Sequence, residues 1–124
     1  MGDRFDLVLE KMAEEVRRVL PAATCAIHHG HNDDFPWWVV ARFTDGDKVA
    51  RSVDVSIECQ RRNGALRLRA DVARERGYVL SEFPASEYTL AGDEKSAGHW
   101  LHERLKQIEE FLLEQVPTIT REIT

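Results

Sequence analysis

Residues 53–72 constrain the fold more than any other stretch of the chain. Val53, Val55, Ile57 and Cys59 alternate with Asp54, Ser56, Glu58 and Gln60. Beyond Asn63 and Gly64, the residues Leu66, Leu68, Ala70 and Val72 alternate with Arg67, Arg69 and Asp71. Successive side chains of a strand point to opposite faces, so each run is a strand with one apolar face. Asn-Gly supplies the positive backbone angles of a two-residue hairpin turn. With Asn63 and Gly64 as that turn, Cys59 faces Leu68, Ile57 faces Ala70 and Val55 faces Val72. On the other face Glu58 meets Arg69 and Gln60 meets Arg67. A slip of one residue would turn the whole apolar set to water, so turn chemistry and patterning specify the same register independently.

Neighbouring runs extend the hairpin into a sheet. Residues 37–43 read as the preceding strand, with Asp45, Gly46 and Asp47 as its turn. A three-residue loop there keeps the faces consistent by placing Phe43 opposite Val49 and Val39 opposite Val53. It leaves Trp38, Val40 and Arg42 on the outer face. Residues 23–28 form an earlier strand with Cys25 and Ile27 inward. Residues 78–83 form a later one with Val79 and Phe83 inward. Pro84 ends it and marks a sheet edge, because proline cannot donate to a ladder. Residues 86–90 have extended character without an assigned place. The result is a five-strand antiparallel meander.

A helix is expected on each side of it. Over residues 4–20, Phe5, Val8, Leu9, Met12, Val16, Val19 and Leu20 recur at spacings of three and four and make one stripe. Asp3 stands at the N-cap position, Asp6 in the first turn, and Arg17 and Arg18 in the last, all favourable to the helix dipole; Pro21 stops the helix. Over residues 94–115, Trp100 or Leu101, Leu105, Ile108, Phe111 and Leu112 make a second stripe, with Asp93 as cap and Pro117 kinking or ending it. Ile119 and Ile123 continue the stripe past the proline and read as a distorted extra turn or an arm. Both helices and the sheet have one apolar side each. The economical packing puts both helices on one face of the sheet, giving a single two-layer α+β domain over residues 1–124. A chain of 124 residues buries enough surface to need neither disulfide nor metal.

Charge narrows the function classes. There are 22 acidic and 17 basic residues, a formal net charge of −5, and the basic ones are dispersed. Nucleic-acid binding needs a basic patch or stripe and is disfavoured, whereas a basic protein partner suits this balance. No run approaches the ~18 consecutive apolar residues of a membrane span. Nor does the N-terminus resemble a signal peptide. Cys25 and Cys59 sit among apolar strand residues and read as reduced thiols. The expectation is a cytoplasmic protein with no membrane association.

Three features are candidates for function. The first is the histidines, which fall into two groups: His28, His29 and His31, then His99 and His102. The second pair is spaced to share one helix face. Imidazoles so placed can hold zinc or nickel if the two groups converge on one pocket. The second candidate is Pro36-Trp37-Trp38-Val39-Val40, where alternation breaks and both faces of a strand are apolar. One tryptophan enters the core; Trp38 and Val40 then face outward, and exposed tryptophan is characteristic of interface hot spots. The third is the polar loop over residues 29–35, where Asp33 and Asp34 stand beside the tryptophans and could meet a basic partner or a cation.

Catalytic signatures are lacking. There is no GxxxxGK[ST], GxGxxG or GxSxG pattern, and His99-Trp100-Leu101-His102-Glu103 is not the zincin arrangement. Ser96, His99 and Glu103 lie on one helix and cannot take triad geometry. No catalytic residue is therefore assigned. In size and element order alone, with no motif carrying it, the plan is broadly similar to small bacterial adaptor, secretion-chaperone and toxin-immunity proteins. The reading is a non-enzymatic protein-binding module that masks or recruits a partner, with Trp38, Val40, Asp33 and Asp34 at the contact. A homodimer is compatible with it. The alternative is a ligand- or metal-binding protein, or an enzyme, that uses the histidines.

Overall fold

The structure is a computed structural model that describes residues 2–31, 37–46, 51–74, 77–90 and 94–124. In chain order it contains α1 (Gly2–Val19), β1 (Ala23–Gly30), β2 (Trp37–Asp45), β3 (Val53–Arg62), β4 (Ala65–Arg74), β5 (Tyr78–Thr89), α2 (Glu94–Glu114) and α3 (Val116–Ile123). The strands form one antiparallel sheet in the order β1-β2-β3-β4-β5.

The β3–β4 hairpin adopts the register its pattern requires, with Cys59 on Leu68, Ile57 on Ala70, Val55 on Val72, Glu58 on Arg69 and Gln60 on Arg67. Asn63 (φ 51°) and Gly64 (φ 73°) both take left-handed backbone, as the two-residue turn demands. Between β2 and β3 the register differs from expectation. Phe43 pairs with Val53 and Val39 with Ile57, so the connection is longer than three residues. The shift is four residues along β3, an even number, and every side chain keeps its face.

β5 departs further. It runs through Pro84 and absorbs residues 86–89, because an edge strand can spare an N–H on its open side. Its register on β4 shifts twice, between Leu68 and Ala70 and between Val72 and Ala73. The second shift reverses the expected inward turn of Val79, which pairs with Ala73 and is 47% exposed, while Leu80 packs partly against the core. Phe83 does turn inward and meets Phe111 at 5.7 Å between ring centroids.

All three helices lie on the apolar face. α1 contacts β1 and β2, α3 contacts β2 and β3, and α2 contacts β5. Phe5, Leu9, Met12 and Val16 of α1, Leu105, Ile108 and Leu112 of α2, and Val39, Phe43, Val55, Ile57 and Leu68 of the sheet form one buried cluster. Each such side chain stabilises the fold by about 1.5–3 kcal/mol through removal from water. Val19 falls outside the stripe at 65% exposed, one turn past the last core contact of α1. The helix begins at Gly2, so Asp3 lies inside its first turn rather than before it. Asp93 lies outside the described residues.

The tail is neither an arm nor a loose turn. Residues 116–123 form α3, with Pro117 at its start and Ile119 and Ile123 fully buried. Proline at a helix start loses nothing, since the first N–H groups have no partner there. Pro117 therefore ends α2 and starts α3, and Arg74 anchors the new helix to β4 through Glu122 at 2.7 Å.

Candidate functional site

The face of the sheet opposite the helices carries Trp38, Val40 and Arg42 from β2, and Asp54, Ser56 and Glu58 from β3. Trp37, one residue before, points the other way, is buried, and packs on Phe5 with ring centroids 5.6 Å apart. Trp38 pairs with Gly30 across β1 and β2, and its indole lies over the Gly30 α-carbon, where any side chain would collide with the ring. Trp38 is thus half-buried without belonging to the core. Its ring spreads along the surface and fills the space a side chain at Gly30 would occupy. Val40, between His28 on β1 and Ser56 on β3, is likewise half-buried.

Ion pairs flank this apolar patch on its β3 and β4 side. Arg42 grips Asp54 with two parallel bonds, Nε to Oδ1 at 2.8 Å and the second to Oδ2 at 3.0 Å. Arg69 stands between Glu58 and Asp71, at 3.1 Å from each. Such a surface is pre-formed: bidentate pairs hold side chains in one geometry, so a partner meeting the face finds less rotamer freedom left to lose.

The histidines are distributed rather than gathered. His28 is on the outer face of β1. His29 is on the inner side, where Nε2 lies 2.6 Å from Asp6 Oδ1 of α1. His31 is exposed just beyond β1, and His99 and His102 are exposed on α2. β1 and β5 are opposite edges of the sheet and α2 lies against β5, so the two histidine groups stand on opposite sides of the molecule. Among the described residues, no three His, Cys, Asp or Glu side chains group as metal ligands. Asp33 and Asp34 lie outside the described residues.

Two further concavities went unforeseen in the sequence. One, of about 580 Å³, lies where Tyr88 of β5 meets Trp100 of α2, rings 5.4 Å apart, with Lys95, His99 and Glu103 at its rim. The other, of about 360 Å³, runs between α1 and β1 and is lined by Glu10, Ala13, Glu14, Arg17, Cys25 and Ile27. Burial pushes the Cys25 thiol up to about 11, with Glu10 adding to the rise and Arg17 opposing it. The helical spacing of Glu10, Ala13, Glu14 and Arg17 does put them on one flank. Which strand that flank borders is set only by the tertiary fold.

Among the described residues, no helix is long and apolar enough to cross a membrane. No protein-family model, curated protein or solved structure matches the chain.

Proposed function

We propose that the protein is a non-enzymatic binding module that masks or recruits another protein through the sheet face around Trp38 and Val40. The observation that carries this reading is the one-sidedness of the sheet. All three helices cover one face, and among the described residues no element covers the other. That open face holds an indole and a valine with ion pairs along their β3 and β4 side, an apolar centre with a polar border such as protein contacts have.

The test places a photo-crosslinking amino acid at Ser56, beside Val40, in protein expressed in its native cell, and at Lys106 on exposed α2 as control. A discrete protein adduct from position 56 and none from position 106 is expected. With the crosslinker kept at position 56, Trp38→Ala and Val40→Arg should each abolish the adduct while leaving the circular-dichroism spectrum and melting temperature of a folded protein. Adducts of equal yield from both positions, or none from position 56, would refute the reading.

A further inference from the structure

We propose that the outer edge of β1, with the Glu10 and Glu14 flank of α1 beside it, binds an extended basic segment of a partner protein as a sixth strand. This deepens the protein-binding reading by giving the partner's chemistry. It uses a different surface from the Trp38 face, so the two can be tested apart.

The hydrogen-bond phase of β1 defines the edge. The Ala22 carbonyl accepts from the Gly46 N–H at 3.0 Å, on the β2 side. The next carbonyl, that of Ala23, accepts from Arg17 Nε at 3.1 Å, on the opposite side. Backbone groups of alternate residues in an antiparallel edge strand point alternately toward and away from the neighbour. Thr24, Ala26 and His28 therefore bond to β2, and the N–H and C=O groups of Cys25, Ile27 and His29 turn outward. Among the described residues β1 has a strand on one side only.

Beyond the Ala23 carbonyl, which Arg17 occupies, β1 lacks the usual blunting devices. Natural edges are blunted by proline, lysine, bulges or covering elements. Residues 23–30 contain no proline and no lysine, and they pair with β2 without a register break. The 360 Å³ groove lies on the α1 side of this edge. Its floor is Ala13, Cys25 and Ile27; the small Ala13 side chain leaves room between helix and strand. Its wall carries Glu10, Glu14 and Arg17; Arg17 is held at the start of the strand by the Ala23 carbonyl, while neither glutamate is in an ion pair among the described residues.

Direction and charge select the occupant. α1 runs antiparallel to β1, with Asp6 beside His29 and Arg17 beside Ala23. The middle of β1 therefore lies along Glu10 and Glu14. A strand added to β1 sends every second side chain to the α1 side. Lysine or arginine there can lay its stem on Ile27 and Ala13 and bring its charge to the two carboxylates. A second copy of this chain fits poorly: two-fold pairing about the centre of β1 would bring Glu10 and Glu14 of each copy toward those of the other, and like charges repel.

The experiment is amide hydrogen exchange by NMR on the full chain, with the octapeptide Lys-Val-Lys-Thr-Lys-Val-Lys-Thr as probe and its Glu-for-Lys counterpart as control. The lysine peptide should slow exchange at Cys25, Ile27 and His29, and the glutamate peptide should not. Glu10→Lys with Glu14→Lys should weaken binding about tenfold or more at an unchanged melting temperature. Trp38→Ala should leave it intact, which separates this site from the open face. No slowing at millimolar peptide, or equal slowing by both peptides, overturns the proposal. Protection of the same three amides that grows with protein concentration in the absence of peptide also overturns it, because a second copy would then hold the edge.

Discussion

β5 runs for 12 residues, contains Pro84, and shifts register twice against β4. It is tied to α2 by two aromatic pairs, Phe83 with Phe111 and Tyr88 with Trp100. β1 runs for 8 residues, each paired with β2 in an unbroken register, and its inner flank is a polar groove instead of an aromatic seam. Both strands are edges, yet only β5 carries the devices that prevent another strand from joining it. Bulges twist a ladder away from a flat template and proline removes a donor. The same fold thus contains a closed edge and an open one. The difference lies in a few local residues rather than in topology.

The largest expected effect is read at the cysteines, which compare the β1 edge with the centre of the sheet. Burial raises both thiols from an ordinary 9.0 to about 11, which at pH 8 lowers the reactive thiolate fraction about a hundredfold relative to an unperturbed thiol. Ellman's reagent should therefore react slowly with native protein and fast in denaturant. Cys25, half-buried on β1, should react before Cys59, which is 2% exposed under the centre of the sheet. A strand seated on β1 should slow Cys25 alone. The folded state favours the neutral thiols. Their contribution to stability is full below pH 9 and is lost as pH rises from about 9 toward 11. Urea midpoints that stay level across that window would show that burial does not hold the thiols neutral.

Next in size is a pair of glycines, one at each edge. Gly30→Ala drives a methyl group into the Trp38 indole, so the ring must leave its place, at a cost of about 2 kcal/mol. Gly77, immediately before β5, has φ +80° and open space around it. There Ala meets only backbone strain, about 1 kcal/mol. Urea unfolding should rank Gly30→Ala below Gly77→Ala in stability, and the reverse order would mean that Trp38 does not rest on Gly30. The Gly30 variant should also redden and quench tryptophan emission as the indole moves into water.

What the sequence revealed and what it hid follows this same division. The β3–β4 register was legible because a two-residue turn and a period-two pattern are both local and must agree. The outward placement of Trp38 was legible from parity, which survived a four-residue error in the β2–β3 register. β5 and α3 were misread at their prolines. Pro84 lies on an edge where its missing N–H costs little, and Pro117 stands at a helix start where it costs nothing, so neither ended structure as a central proline would. The contact of Trp38 with Gly30 and the groove between α1 and β1 depend on residues far apart in the chain, and no local pattern announces them. The histidine groups show the converse. They are clustered in the sequence and are separated in space by the width of the sheet.

The smallest effect concerns the outer-face ion pairs, and it asks whether the sheet is also more ordered toward β1 than toward β5. Arg42 and Asp54, on β2 and β3, form a two-bond pair at 2.8 and 3.0 Å. Arg67 and Glu87, on β4 and β5, approach only to 3.9 Å, and Glu87 is 66% exposed. Exposed pairs are worth little because water screens the charges and long side chains lose rotamer freedom; only good geometry brings them to about 0.5–1 kcal/mol. A double-mutant cycle with Arg42→Ala and Asp54→Ala should give a coupling of about 0.5 kcal/mol at low salt that fades by 1 M, where screening acts within about 3 Å. The Arg67 and Glu87 cycle should give a coupling indistinguishable from zero at any salt. Equal couplings would mean that β5, despite its bulges, holds its side chains as firmly as the strands beside β1. The contrast between the edges would then lie in their backbones alone.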